Sequence, residues 1–214
     1  MLTALVDYDS GNLHSAEKAF QRMAAEVGGG TIVVTSEPDV VAKADRVVLP
    51  GDGAFPACRR ALSEHAGLYE AIAEGVAAGK PFLGICVGMQ MLASWGREYE
   101  DVAGFGWIPG EVTRIAAAGP GGRALKVPHM GWNDLHLAGA HPVLAGISTG
   151  DHAYFVHSYA FRVAEPGDLL AHVDYGGPVT AIVGRGNVIG TQFHPEKSQA
   201  TGLRLIGNFL RWRP

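Results

Sequence analysis

Apolar and polar positions alternate differently in the two halves of the chain. In the first half, short apolar runs alternate with longer amphipathic ones. Leu2–Val6, Thr31–Thr35, Arg46–Leu49 and Pro81–Ile85 are apolar or β-branched runs of the length expected for buried parallel strands. Between them the pattern predicts a helix from a cap at Asn12 to about Ala25, and one long helix from Ala57 to Ala78 that stops at Gly79. This alternation is the signature of βαβ units. From Gly104 to Val183 the runs are shorter and broken by Gly and Pro. Val112–Ile115, Tyr154–Val156, Ala160–Val163 and Thr180–Val183 read as antiparallel additions, and 116–123 as a loop tip. Asn187–Phe193 is a last strand. Ser198 then caps a final helix whose Leu203, Ile206 and Leu210 form a stripe toward the sheet. The expected fold is α/β: a doubly wound, mostly parallel sheet with helices on both faces and added antiparallel strands in the second half, all in one domain, 1–214.

Composition narrows the possible functions. The chain has 214 residues, of which 47% are hydrophobic and 18% charged, enough apolar content for a core and too little charge for disorder. A formal net charge of −4 gives no footprint for nucleic acid or an anionic membrane. No apolar run reaches the length of a membrane span. The first residues read as a strand without a basic leader, so a cytoplasmic protein is expected. Two cysteines, Cys58 and Cys86, make no disulfide framework. Cys58 reads as a buried spectator.

Cys86 carries the candidate chemistry. It sits in Gly84-Ile85-Cys86-Val87-Gly88, between an apolar strand and a helical run reaching Ala93. Small residues two before and two after let the chain turn sharply and lift the thiol over the sheet edge, as in a nucleophile elbow. A helix starting at Val87 aims its positive end at the sulfur and favours thiolate. A thiol nucleophile needs a base and a group to orient that base. Among nine histidines, His194 differs by ending an apolar strand two residues before Glu196, whose carboxylate can hold the imidazole tautomer. His14, His65, His136 and His141 have ordinary readings and match no metal spacing. Oxyanion donors are expected from the Val87 N–H and from the Gly51–Gly53 loop. No phosphate loop or dinucleotide fingerprint is present, so no cofactor or metal is implied.

Gly84-Ile85-Cys86-Val87-Gly88-Met89-Gln90 with Phe193-His194-Pro195-Glu196 resembles the class I, triad-type glutamine amidotransferases. Asp7–Leu13, Leu49–Phe55, Pro128–Asn133 and Tyr154–Tyr159 resemble the branch that provides the glutaminase subunit of imidazole glycerol phosphate synthase, and the matches span essentially the whole chain. The resemblance implies that Cys86 attacks the glutamine amide, with His194 as base and then acid, held by Glu196. It implies glutamine contacts at Gln90, Glu98, Ser158 and Tyr159, and an oxyanion hole at Gly53 and Val87. It implies passage of ammonia to a separate (β/α)₈ cyclase subunit in a heterodimer, faced by Asn12, Trp132, Asn133 and Lys197. Position 52 is Asp where that family usually has valine. An Asp there can hydrogen-bond locally and bias rotation of the Asp52–Gly53 peptide. The alternatives are a glutaminase subunit of another synthase, of the pyridoxal phosphate or anthranilate type, or a stand-alone cysteine hydrolase.

Overall fold

The computed structural model describes residues 1–116, 118–119 and 124–214. In chain order its elements begin with β1 (Leu2–Val6), α1 (Leu13–Val27), β2 (Thr31–Thr35), α2 (Pro38–Lys43), β3 (Arg46–Gly51), α3 (Phe55–Glu64), α4 (Leu68–Ala77), β4 (Phe82–Cys86) and α5 (Val87–Gln90). Then follow β5 (Trp95–Glu98), β6 (Glu100–Ala103), β7 (Gly110–Arg114), β8 (His129–Asp134), β9 (His136–Leu137), β10 (His152–His157) and β11 (Tyr159–Val163). The chain closes with β12 (Leu169–Asp174), β13 (Pro178–Arg185), β14 (Val188–Thr191) and α6 (Gln199–Arg211).

The main sheet has the order β2-β1-β3-β4-β14-β13-β12-β9. Its first five strands pair in parallel and the last three extend it antiparallel. β2 lies on one side of β1 and β3 on the other. Right-handed crossovers therefore put α1 and α2 on opposite faces. α1 packs with α6 on one face, and α2 packs with α4 on the other. β3 and β4 are buried along their whole length, as strands covered on both faces must be. α6 buries Leu205, Ile206, Phe209 and Leu210, each side chain contributing roughly 2 kcal/mol of transfer free energy.

Three features differ from the sequence expectation. The predicted helix over 57–78 is two helices, α3 and α4, because Gly67 adopts φ 77° and turns the chain between them. Ser198 occupies the cap position of α6 without capping it: its hydroxyl donates to His194 O at 2.7 Å and accepts from Tyr154 N at 3.0 Å. The second half also forms a separate two-stranded ribbon, β8 with β10, and a four-stranded sheet, β11-β7-β5-β6. Of the predicted loop tip 116–123, residues 117 and 120–123 lie outside the described residues. Asn12 caps α1 as expected, its Oδ1 accepting from Ser15 N at 3.4 Å.

Candidate active site

β3, β4 and β14 end side by side, with Gly51 in register with Cys86 and Ile85 with Thr191. Their carboxyl ends deliver the Gly51–Gly53 loop, the elbow and His194 to one edge, the place where open α/β sheets carry their sites. Cys86 stands at φ 56°, ψ −112°, a strained conformation for a side-chain-bearing residue that costs roughly 1–3 kcal/mol. Packing of the chain around the elbow enforces it. A methyl group on Gly88 would overlap the Leu49 carbonyl, and one on Gly84 would overlap Gly88 itself. The run predicted to be helical through Ala93 is a single turn of four residues, after which Leu92 and Ala93 bond three residues back. One turn carries only a fraction of a helix dipole, so the sulfur depends on side-chain donors more than the sequence suggests.

His194 follows β14 and lies close enough to Cys86 for the sulfur to act on its charge, while its Nδ1 lies 2.9 Å from Glu196 Oε1. The two partners' side chains are 5% and 2% exposed, so this contact is shielded from water. Burial alone pulls the imidazolium down, but hydrogen bonds and charge from Cys86 and Glu196 outweigh it and raise His194 to about 10. The imidazole thus keeps its proton between sulfur and carboxylate.

Beside Cys86 lies a cavity of about 240 Å³ lined by Asp52, Gly53, Val87, Gln90, Glu98, Pro128, His157, Ser158 and Tyr159. It collects all the residues expected to bind glutamine or an oxyanion. Gln90 donates from Nε2 to Tyr159 O at 3.1 Å and to Gln192 Oε1 at 3.0 Å. That uses both its amide hydrogens and leaves Oε1 to accept. Glu98 Oε2 accepts from Phe55 N at 2.8 Å, so the first turn of α3 fixes the carboxylate and leaves its other oxygen for a ligand. Ser158 O takes the Ile115 N–H at 2.9 Å, and Tyr159 O also takes His157 Nδ1–H at 2.8 Å.

The Asp52–Gly53 peptide is held, though not by the Asp52 carboxylate. Ser10 Oγ donates to Asp52 O at 2.8 Å and accepts from Asp52 N at 3.1 Å, while Cys58 Sγ donates to Asp52 O at 3.2 Å. Cys58 is therefore no spectator. Burial pushes its thiol up, which keeps it a donor. Gly53, at φ 100°, has open space around its α-carbon.

A second buried cluster adjoins the cavity. His157 Nε2 lies 2.9 Å from His129 Nδ1, and His129 Nε2 lies 3.2 Å from Asn133 Nδ2. Tyr159 O can only accept, so His157 Nδ1 donates to it; His157 Nε2 then accepts from His129 Nδ1–H, and His129 Nε2 accepts from Asn133. Burial lowers both histidines to about 4. Asn133 also donates to Asp174 O at 3.0 Å and accepts from Asp134 N at 2.8 Å, so its side chain is engaged within the chain. Trp132 and Met130, on the same ribbon, are 48% and 62% exposed. Asn12 is exposed and Lys197 half-buried, the latter in a shallow groove with His14, Lys18, Arg22 and Glu196. Sequence reasoning passed over Ser10, Cys58, Gln192 and the histidine pair. Ser10, His129 and His157 carried a visible signal, lying inside motif segments whose flanking residues had drawn the attention.

The model of the class-I glutamine amidotransferases matches residues 4–211. The imidazole glycerol phosphate synthase subunit HisH of Ruegeria pomeroyi is 66% identical, and that of Cereibacter sphaeroides 67%, each over the full length of both chains. Among solved structures, a glutamine amidotransferase superposes with a TM-score of 0.72 at 21% identity over 97% of both chains. A glutamine amidotransferase of Thermotoga maritima superposes with a TM-score of 0.62 at 16% identity, over 92% of this chain and 76% of that one. These two likenesses speak for the fold alone. The elbow cysteine, the buried His-Glu pair and the full-length relatives together place the chain in the class-I glutamine amidotransferases, within the branch of imidazole glycerol phosphate synthase HisH subunits.

Proposed function

We propose that this chain hydrolyses glutamine to glutamate and ammonia, as one amidotransferase domain over 1–214, for a cyclase subunit in histidine biosynthesis in the cytoplasm. The observation that carries the reading is the strained Cys86 against the buried His194–Glu196 pair, at a cavity that Gln90 and Glu98 also line. Cys86 Sγ attacks the side-chain amide carbon of glutamine. The oxyanion takes N–H groups of Val87 and Gly53. His194 gives its proton to the departing nitrogen, which leaves as ammonia, and a γ-glutamyl thioester remains on Cys86. Water then adds to the thioester carbon as His194 takes its proton; the C–S bond breaks and its electron pair returns to the sulfur. Oε1 of Gln90 and the free oxygen of Glu98 suit an α-ammonium, and backbone N–H groups of Ser158 and Tyr159 suit an α-carboxylate.

Ammonia would pass to a (β/α)₈ cyclase subunit forming imidazole glycerol phosphate and an aminoimidazole carboxamide ribotide. Exposed Trp132 and Met130 favour the β8 ribbon, which also carries Asn133, as the docking face, and Asn12 and Lys197 would join that interface. The Asp52 carbonyl is held by Ser10 and Cys58, and the Gly53 N–H points the other way across the same trans peptide. A partner that rotates this peptide would bring the Gly53 N–H into the oxyanion hole. The isolated chain should then be a poor glutaminase. Labelling with a glutamine-like diazoketone, with and without the organism's own cyclase, tests the reading. Modification confined to Cys86, lost in Cys86→Ala and faster with the cyclase, is expected; labelling indifferent to Cys86→Ala overturns it.

A further inference from the structure

Gln192 follows the end of β14, fully buried, its backbone N–H fixed to Ala181 O at 2.8 Å. Its side chain lies between Gln90 and the nucleophile: Oε1 accepts from Gln90 Nε2 at 3.0 Å, and Nε2 lies 3.7 Å from Cys86 Sγ. The orientation of both amides follows from one group that cannot donate. The Tyr159 carbonyl faces Gln90, so Gln90 turns its nitrogen that way, and the same nitrogen reaches Gln192. Gln192 must then present oxygen to Gln90 and nitrogen to the sulfur. Resting on the reading of Cys86 as nucleophile, we infer that Gln192 is a further catalytic residue. Its amide N–H donates to the Cys86 sulfur and joins the glutamine pocket and the nucleophile in one hydrogen-bonded unit.

The chemistry suits both halves of the reaction. A donor at the sulfur favours thiolate over thiol before attack. When the thioester is hydrolysed and the C–S bond breaks, the electron pair returns to sulfur against the same N–H, which makes it a better leaving group. The single turn of α5 supplies little dipole of its own, which gives this donor more to do. A substrate ammonium on Gln90 Oε1 would lock the Gln90 amide and, through it, the Gln192 amide, so that a filled pocket steadies the nucleophile.

The test compares Gln192→Glu, Gln192→Met and Gln192→Leu, each in complex with the chain's own cyclase. Glu keeps the shape and puts an acceptor against the sulfur; Met and Leu remove the donor. Iodoacetamide alkylation of Cys86 across pH is read beside kcat and KM for glutamine. In Gln192→Glu, half-maximal alkylation should move up by about one pH unit, and kcat should fall roughly tenfold to a hundredfold with KM changed less than about threefold. Gln192→Met and Gln192→Leu should shift in the same direction but less. If one variant fails to fold, the alkylation profile of another decides. A folded Gln192→Glu with wild-type alkylation and kcat overturns the inference. So does a rise in KM alone, which would confine Gln192 to the binding pocket. Cys86→Ala serves as the control: glutaminase activity surviving there would overturn the nucleophile itself rather than the role of Gln192.

Discussion

Two buried histidine environments lie within one site and behave oppositely. His194 sits between the Cys86 sulfur and the Glu196 carboxylate and is raised to about 10. His129 and His157 sit against each other, against an amide and a carbonyl, and are lowered to about 4. All three are buried, so burial does not separate them. The partners do: anionic groups favour imidazolium, whereas carbonyl, amide and ring nitrogen are satisfied by neutral tautomers. Proton chemistry and scaffolding are thus assigned to the same residue type by what stands one hydrogen bond away.

The largest expected effect comes from removing the anion on one side. Glu196→Gln keeps the size of the side chain and deletes its charge. Steady-state glutaminase assays of the complex should show kcat down by about a hundredfold, and histidine NMR should place His194 well below its wild-type position. An unchanged His194 titration would erase the distinction between the two environments.

Acid titration tests the opposite environment. The lowered histidines bind fewer protons in the folded chain than in the unfolded one between pH 6.5 and 4, so their contribution is present above pH 6.5 and lost as pH falls through 4. The raised His194 works the other way: its contribution is present below pH 6.5 and lost as pH rises through 10. Urea unfolding of the wild type should lose roughly 3 kcal/mol between pH 7 and 5, the two lowered histidines outweighing His194. His157→Gln should flatten that limb and leave the alkaline limb in place.

The smallest effect sharpens the rule by converting one environment toward the other. Asn133→Asp places a carboxylate 3.2 Å from His129 Nε2. NMR titration should move His129 up by about one unit, with little change in kcat. No movement would mean that burial, and not the partner, sets the value.

The sequence made the triad visible because each member is punctuated: Cys86 by Gly84 and Gly88, His194 by the end of an apolar strand, Glu196 by its spacing. The parallel core was legible for a related reason, since β1, β3 and β4 are buried on both faces and read as mainly apolar runs without strict alternation. β5 and β6 went unread because Trp-Gly-Arg-Glu and Glu-Asp-Val-Ala lack any apolar alternation. Gly67 was a readable stop signal inside the supposed long helix, outweighed there by the apolar pattern on both sides. Ser10, Cys58 and Gln192 act through side-chain hydrogen bonds that span 42, 6 and 106 positions of chain. Such contacts leave no periodicity, and only the folded geometry brings them together.

The contact of Gly88 with Leu49 implies a division of mechanical labour. Backbone stacked on backbone leaves the elbow no slack, so the sulfur moves only if the central strands move. The far wall of the cavity is built otherwise, with Gly53 in open space and its peptide held by two side chains from other elements. The anvil is fixed and the hammer is hinged: any signal that tunes this site has to act on the wall that can swing.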